Sequence, residues 1–380
     1  MSEQRRVCIA GAGLMGSLLA WRLARQGFQV EVYEAAAEDQ PASAAHTAAA
    51  MVAPYSERSL AHPDVFALGL QSLQLWPQLL PELHADSGIA VHYGQSGSLV
   101  VAHPADQAEL AQFAQDLRQG GLWNPADDGC ENEAAIQRLN QVRLQDLEPA
   151  LNPQLAEGFW LRHEAWVDNR ALLPALHQAA RSFGTRFYFS TALNDFPPYA
   201  DIKLDCRGLG AKPALPQLRG VRGEVLWIES QEVQISRPIR LLHPRYHLYL
   251  VPKGRHRYVL GATEIESEDR SPVSVRSALE MLSALYCLSP ALAEARILNF
   301  DVNLRPALAD HRPQILAQDD GVLSINGLFR HGYLLAPALL QRLQQQHGLA
   351  LGLEPAPTGQ SAPSKSIPSQ AIAFGGEACA

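Results

Sequence analysis

The fold of this chain is decided by residues 5–34, which read RRVCIAGAGLMGSLLAWRLARQGFQVEVYE. A short apolar run leads into a glycine-rich turn, a helical pattern follows, and a second apolar run ends in the carboxylate of Glu34. A strand, a turn, a helix and a strand in this spacing form the unit that binds a dinucleotide. The sequence therefore predicts a protein that uses a dinucleotide cofactor.

The glycines of this turn have separate roles. Gly11 lets the chain turn out of the first strand, Gly13 lets a pyrophosphate approach the backbone, and Gly16 allows close packing of helix on strand. The free amides and the positive end of the helix that starts near Leu14 face the phosphates. Glu34 can accept hydrogen bonds from a ribose diol and would repel a 2′-phosphate, which disfavours NADP.

Two other interpretations of the N-terminus are weaker. A glycine-rich turn can be purely structural, but here strand, helix and acidic residue all have the required spacing. Arg5-Arg6 before an apolar run could begin a twin-arginine export signal. The run carries three glycines, however, and Arg22 and Arg25 follow it closely. We therefore expect the first strand of a cytoplasmic protein.

Composition sets the broad class. A length of 380 residues favours two domains, and 47% apolar residues are enough for a large core. The net charge of −8 is spread along the chain, so neither nucleic acid nor an anionic membrane is an expected partner. The five cysteines are far apart and suggest reduced thiols without a metal or disulfide role. No apolar stretch is long enough to span a bilayer.

The chain alternates between two kinds of pattern. We predict an α/β fold in which a doubly wound Rossmann-like domain is interleaved with an antiparallel-sheet substrate domain. The predicted segments are 1–84, 155–215 and 302–352 for the nucleotide-binding domain, 85–154 and 216–301 for the substrate domain, and 353–380 for a disordered tail.

Three local patterns complete this prediction. Small side chains over 41–54 would let a flat ring lie close to the backbone, although a buried linker would look the same. Strand-like runs at 89–93 and 98–102 flank a Gly-Gln-Ser-Gly turn and predict a hairpin. Residues 133–147 are expected to form a polar surface helix.

Short blocks along the chain resemble the D-amino-acid oxidase superfamily of flavoproteins and, within it, the glycine oxidases of thiamine biosynthesis. The blocks are GAGLMG at 11–16, TAAAMVAP at 47–54, EPAL at 148–151, WVD at 166–168, LYLVPK at 248–253, GATE at 261–264, LRP at 304–306 and GLFRHGYLLAP at 327–337. Each block is short, but their order and spacing are specific.

The resemblance implies FAD as the cofactor and oxidation of glycine or another small amino acid to the imino acid, with dioxygen reduced to hydrogen peroxide. A homo-oligomer is left open. The cofactor-binding residues it implies are Gly11, Gly13, Met15, Gly16, Glu34, Thr47, Ala48, Ala49, Met51, Gly208, Gly332, Tyr333 and Leu334.

The resemblance also implies a substrate site. Arg305 would bind the substrate carboxylate at two points, Arg330 would add a second positive charge, and Tyr249 would donate its hydroxyl. Without the resemblance, Arg305 would be read as a surface ion-pair residue. Hydride leaves from the neutral amine in this chemistry, so no strong base is needed and His331 is expected to be structural.

Five positions depart from the family pattern, and two of them, His46 and Thr47, stand where small residues are usual. Ala50 stands where glycine oxidases tend to have glycine, and Arg207 where a small residue is usual. Glu264 replaces an apolar residue of some glycine oxidases. Glu264 would attract the substrate ammonium or a secondary amine if it faces the site, or form a charged strand end if it faces solvent, and the sequence leaves both open.

Two other functions remain open. The first is a flavin-dependent dehydrogenase that passes electrons to a quinone or carrier. The second is a flavoprotein that acts on a protein partner.

Overall fold

The computed structural model describes residues 5–58, 61–125 and 134–353. Within these ranges the strands are β1 (Arg6–Ala10), β2 (Gln29–Tyr33), β3 (Met51–Val52), β4 (Tyr93–Gly94), β5 (Ser98–Ala102), β6 (Ile136–Asn140), β7 (Glu157–Leu161), β8 (Ala165–Val167), β9 (Arg186–Tyr188), β10 (Ile202–Asp205), β11 (Arg219–Glu229), β12 (Ile239–His243), β13 (Tyr246–Pro252), β14 (Arg257–Gly261), β15 (Arg296–Ala307), β16 (Gln314–Ala317) and β17 (Val322–Asn326). The α-helices are α1 (Leu14–Arg25), α2 (Ala44–Thr47), α3 (Pro54–Glu57), α4 (Pro63–Ser87), α5 (Gln107–Gln119), α6 (Gln141–Leu147), α7 (Asn169–Ser182), α8 (Val275–Leu288) and α9 (Gly332–His347). Short 3₁₀ helices cover Pro104–Asp106, Gly208–Ala211 and Pro290–Glu294.

The first sheet has the strand order β16-β17-β10-β1-β2-β9. All its pairings are parallel except that of β16 with β17. Four of the five residues of β1 are buried, as expected for a central parallel strand covered on both faces. Helices α1, α4, α7 and α9 contribute side chains such as Leu19, Trp76, Leu176 and Leu339 to the same core. The predicted doubly wound α/β unit is confirmed, and the glycine turn lies at the carboxyl edge of its central strand.

The second sheet has the order β15-β11-β14-β13-β12-β5-β7-β6 and is antiparallel except between β5 and β12. Its two faces are both covered. Leu226 and Ile228 of β11 face the core under α8, whereas Val225 and Trp227 pack in a separate cluster with Trp166. This alternation, which follows from the two-residue period of a strand, turns one face of the sheet toward the loop 47–51. That face forms the roof of the candidate site.

The small sheet β3-β8-β4 supports that loop from the side. In it Met51 lies opposite Trp166. The pairing fixes the end of the Ala-rich segment beside the second sheet.

Two local predictions are wrong. The segments 89–93 and 98–102 do not form a hairpin, because β4 pairs with β8, and β5 pairs with β12 and β7. Residues 133–147 do not form one helix: β6 pairs with β7 and α6 follows it. Since β6 is an edge strand, its exposed positions are polar, and the apolar alternation of a strand is too weak to recognise.

The strands overlap the predicted domain boundaries. Strand β7 (Glu157–Leu161) lies within the predicted nucleotide-binding segment 155–215 but belongs to the second sheet. Strand β15 (Arg296–Ala307) crosses the predicted boundary between residues 301 and 302, and all of it belongs to the second sheet. The division into domains therefore stays a prediction. The predicted tail lies outside the described residues from residue 354 onward. Among the described helices, none combines the length and apolar character needed to cross a bilayer.

Candidate active site

A continuous cavity runs from the glycine turn to the roof formed by the second sheet. Most residues predicted to bind cofactor or substrate line it: Gly11, Gly13, Met15, Glu34, Thr47, Ala48, Ala49, Met51, Gly208, Tyr249, Glu264, Arg305, Arg330, Gly332 and Tyr333. Gly16 and Leu334 are absent from its lining. Leu334 packs in the core, where a Cβ on Gly69 would lie 2.8 Å from its Cδ1.

The glycine turn leaves no room for side chains at two positions. Gly11 has a φ of +98°, and a Cβ there would lie 2.6 Å from the carbonyl oxygen of Cys206. A Cβ on Gly16 would lie 1.9 Å from the carbonyl oxygen of Gly11. Gly16 therefore acts through the packing of α1 on the turn, whereas Gly11 and Gly13 border the cavity. The turn leads into the N-terminus of α1, where backbone amides could bind a phosphate.

Glu34 stands at the end of β2 with its carboxylate held in place. Its Oε2 accepts from the amide of Ala12 at 2.8 Å, and its Oε1 accepts from the amide of Ala36 at 2.9 Å. Each carboxylate oxygen has a further lone pair for a hydroxyl donor. Nearby, the Arg207 guanidinium is bound to Asp205 and to the carbonyl oxygen of Leu193, so this departure from the family pattern is tied to the protein itself.

A buried lysine binds the backbone of the Ala-rich segment. The Nζ of Lys253 donates to the carbonyl oxygens of Ala49 at 2.7 Å and Val167 at 3.0 Å. Burial lowers the pKa of Lys253 to about 7. Ala50 is buried and has a φ of +57°, in the left-handed region where glycine is the least strained residue. The residue at position 50 thus has a backbone conformation that glycine adopts with less strain than alanine.

Arg305 projects from β15 into the cavity. Its Nη1 donates to the carbonyl oxygen of Arg222 at 3.2 Å, and its Nη2 to that of Thr263 at 2.9 Å. A Cβ on Gly223 would lie 2.6 Å from the Arg305 Cζ, so the guanidinium lies flat against glycine backbone. Burial and the charge of Arg330 lower the pKa of Arg305 to about 10, which leaves it charged at neutral pH. The two bonds use two of its five N–H donors.

Arg330 is held between two carboxylates. Its Nη2 donates to Glu57 Oε1 and its Nη1 to Glu264 Oε2, both at 2.9 Å. The Tyr249 hydroxyl donates to the same Glu57 Oε1 at 3.2 Å. Burial opposes the charge on Arg330, but Glu57 and Glu264 outweigh it and raise its pKa. Glu264 lines the cavity and is also in contact with solvent, since its side chain is 41% exposed.

Glu57 is a site residue that the sequence prediction missed. It ends α3, directly after the Ala-rich segment, and its side chain is only 9% exposed. Burial favours its neutral form, but Arg330 above all lowers the pKa of Glu57 to about 2. The signal in the sequence was a carboxylate three residues after Pro54, in a helix of four residues.

A buried network behind the site holds α3. Glu164 accepts from the Ser56 amide at 2.6 Å and from the Ser56 hydroxyl at 2.7 Å, and the Ser98 hydroxyl also donates to it. Arg240 donates to the Ser56 carbonyl oxygen and lies 5.4 Å from the centre of the Tyr249 ring. Burial raises the pKa of Glu164 to about 7. This network holds the backbone of Ser56, the residue before Glu57.

Two histidines flank the site in the neutral form. Burial lowers the pKa of His331 to about 4, and its Nδ1 lies 3.9 Å from Glu57 Oε2. His247 lines the cavity, and burial also lowers its pKa to about 4. Neither histidine is protonated at neutral pH.

A parallel sheet with a glycine turn at its carboxyl edge, joined to an antiparallel roof that carries buried arginines, is typical of dinucleotide-dependent oxidoreductases. The model of one family matches residues 6–343 and is described as FAD dependent oxidoreductase. The chain belongs to this family, and its cofactor is FAD. The resemblance seen in the sequence is confirmed.

Two relatives show the range of similarity. A Rhizobium etli protein named as the thiamine biosynthesis oxidoreductase ThiO is 37% identical over 88% of this chain and 94% of its own length. The glycine oxidase of Geobacillus kaustophilus is 26% identical over 89% of this chain and 91% of its own length.

Solved structures agree with the fold. The crystal structure of the Geobacillus kaustophilus glycine oxidase matches with a TM-score of 0.76 and 24% identity, over 93% of this chain and 96% of that one. The iminodiacetate oxidase of Chelativorans sp. BNC1 matches with a TM-score of 0.74 and 26% identity, over 93% and 97%.

The residues of the cavity fit FAD. Gly13, at the N-terminus of α1, lines the cavity without a side chain that would block a pyrophosphate, and Glu34 presents fixed acceptors where a ribose diol is expected. Ala48, Ala49 and Met51 offer small or flexible side chains beneath the roof. The first turn of α9 begins at Gly332, which lines the same cavity, so its amides can stabilise negative charge.

Proposed function

We propose that the protein oxidises glycine or another small amino acid to the imino acid, with dioxygen as the electron acceptor and hydrogen peroxide as the product. The supporting observation is Arg305, a charged guanidinium with uncommitted donors that lies against Gly223 in the cofactor cavity. A guanidinium binds a carboxylate at two points and fixes its orientation. A small substrate is favoured because Tyr249, Glu57 and Arg330 crowd the same end of the cavity.

Bound FAD supplies the two-electron oxidising chemistry. The protein orients the substrate: Arg305 takes the carboxylate, while Arg330 adds positive charge although two of its N–H donors hold Glu57 and Glu264. Glu57, with a pKa of about 2, and His331, with a pKa of about 4, are poor bases at neutral pH. The substrate therefore reacts from its neutral amine form, and the rate of oxidation rises with pH.

The likeness to ThiO supports a place in thiamine biosynthesis, and we infer a cytoplasmic enzyme. The likeness to glycine oxidase supports oxygen as the acceptor.

An anaerobic flavin-bleaching screen tests the proposal. Purified holoenzyme is mixed with glycine, sarcosine, D-alanine and other small amino acids, and air is then admitted while peroxide is measured. We expect rapid bleaching by at least one of these compounds, followed by rapid return of colour with stoichiometric peroxide. Bleaching that air reverses only slowly would favour a dehydrogenase with a quinone or carrier. Bleaching by none of them, with co-purification of a partner polypeptide, would favour action on a protein.

A further inference from the structure

We propose that Glu57 accepts a hydrogen bond from the substrate amino group through its Oε2, and so distinguishes amino acids from other small acids. The inference rests on the proposed function and names the group that recognises the amine. It treats Glu57 as a specificity residue that contacts the substrate.

The first observation is an unused buried acceptor. Glu57 Oε1 accepts from Arg330 and Tyr249, whereas Oε2 has no hydrogen-bond partner among the described residues. The Nδ1 of His331 lies 3.9 Å from Oε2, beyond hydrogen-bond distance. A buried carboxylate oxygen without a partner is costly, and such an oxygen at a cavity wall points to a ligand that donates.

The second observation is the order of donors and acceptors in the cavity. Arg305 offers N–H donors for a carboxylate, and Glu57 lies at the same end of the cavity, since it binds Arg330, whose charge acts on Arg305. In an α-amino acid the nitrogen is only two bonds from the carboxyl carbon. A substrate carboxylate on Arg305 therefore brings its amino group into the part of the cavity that Glu57 lines.

The other carboxylates near the site are less suited to this role. Glu264 is 41% exposed, so water can satisfy its free oxygen. Glu164 is fully engaged by Ser56 and Ser98 behind α3. Glu57 alone, among the described carboxylates that line the cavity, combines burial with an unpaired oxygen.

The charge of Glu57 predicts a signature in the pH profile. A carboxylate beside the amine stabilises the ammonium form and raises the pKa of the bound substrate. Since the neutral amine reacts, an ionised Glu57 moves the acidic limb of the profile to higher pH. The charged or titratable groups that interact with Glu57 are Arg240, His247, Tyr249, Arg305, Arg330 and His331. None of them is replaced in the test variant.

The test compares E57Q with E264Q in the FAD-loaded enzyme. Glutamine keeps the shape of Glu57 and an oxygen for Arg330 and Tyr249, but it can place an NH₂ donor where Oε2 stands. The measured quantities are the glycine concentration that gives half-maximal anaerobic flavin reduction and the inhibition constant of acetate, which lacks the amine. If the screen selects another amino acid, that compound replaces glycine.

We expect E57Q to raise the half-saturating glycine concentration about tenfold to a hundredfold, the range for a hydrogen bond to a charged group. Acetate should bind as well as to wild type or more tightly, and the acidic limb should move to lower pH. In E264Q, glycine and acetate should change by the same factor. Equal losses of glycine and acetate in E57Q, with an unmoved limb, would reduce Glu57 to a support for Arg330 and overturn the inference.

The two proposals fail in different ways. A wild-type enzyme that no small amino acid reduces would refute the proposed function. A wild-type enzyme that glycine reduces, together with an unchanged ratio of glycine to acetate binding in E57Q, would refute only the inference.

Discussion

Replacing Arg305 by glutamine tests the carboxylate site most directly. The guanidinium is held by the carbonyl oxygens of Arg222 and Thr263, so its remaining donors are fixed in direction before a substrate arrives. Two charge-assisted bonds to a carboxylate are worth about 3–6 kcal/mol, at 1.5–3 kcal/mol each. Arg330 cannot replace them fully, because Glu57 and Glu264 occupy its two terminal nitrogens.

The half-saturating glycine concentration for anaerobic flavin reduction should therefore rise roughly 10²-fold to 10⁴-fold in R305Q. In R305K, which keeps the charge but loses the fork, the rise should be about tenfold to a hundredfold. R276K serves as the matched control, since Arg276 is exposed on α8 outside the cavity lining. FAD content and thermal unfolding verify the fold of each variant. Half-saturation within threefold of wild type in R305Q would refute the assignment of Arg305.

Three further predictions concern stability, each read from chemical or thermal unfolding of the holoenzyme. Burial lowers the pKa of Lys253 from 10.5 to about 7, so the folded state binds fewer protons than the unfolded state between these pH values. The free energy of unfolding should therefore rise with pH from about 7 to 10.5. K253M should flatten that rise, and an unchanged slope would contradict the burial argument. Burial raises the pKa of Glu164 from 4.5 to about 7. The contribution of Glu164 to the free energy of unfolding is therefore full below about pH 4.5 and is lost as the pH rises through 7. E164Q should remove this pH dependence, and a variant that keeps it would point to another group. The free energy of unfolding of A50G should lie within about 1 kcal/mol of wild type. Glycine relieves the strain of a left-handed alanine, worth about 1–2 kcal/mol, and this gain offsets the loss of a buried methyl group and the added freedom of the unfolded chain. A loss of more than about 3 kcal/mol would argue against the left-handed conformation.

The sequence was most informative where structure is local. The β1-α1-β2 unit follows from its own glycines and apolar periods, because the strand, the turn and the helix are all specified within thirty residues. The predictions of an α/β fold and of FAD, both confirmed, were based on this stretch and on the family resemblance.

Long-range pairing limited the rest. The apparent hairpin before residue 102 was wrong because β5 pairs with β12, a strand some 140 residues later, and no local pattern records that choice. Glu57 was missed for a related reason. Its hydrogen-bond partners Tyr249 and Arg330 lie 192 and 273 residues away, and a four-residue helix gives no periodic signal.

The orientation of the Glu264 side chain depends on the tertiary structure and could not be predicted from the local sequence. The sequence left it facing either the site or solvent, and it reaches both, while its carboxylate binds Arg330. The roles of the individual site residues stay predictions until the variants are measured.

Gly11 packs against the carbonyl group of Cys206, and Gly332, where α9 begins, lines the same cavity as Gly11. No early portion of the growing polypeptide contains this whole enclosure. Residues that line the cavity range from Gly11 to Tyr333, so nearly the whole chain must be synthesised before the site is complete. We therefore expect FAD to bind late in maturation. A chain that ends before α9 should lack the yellow colour of bound flavin.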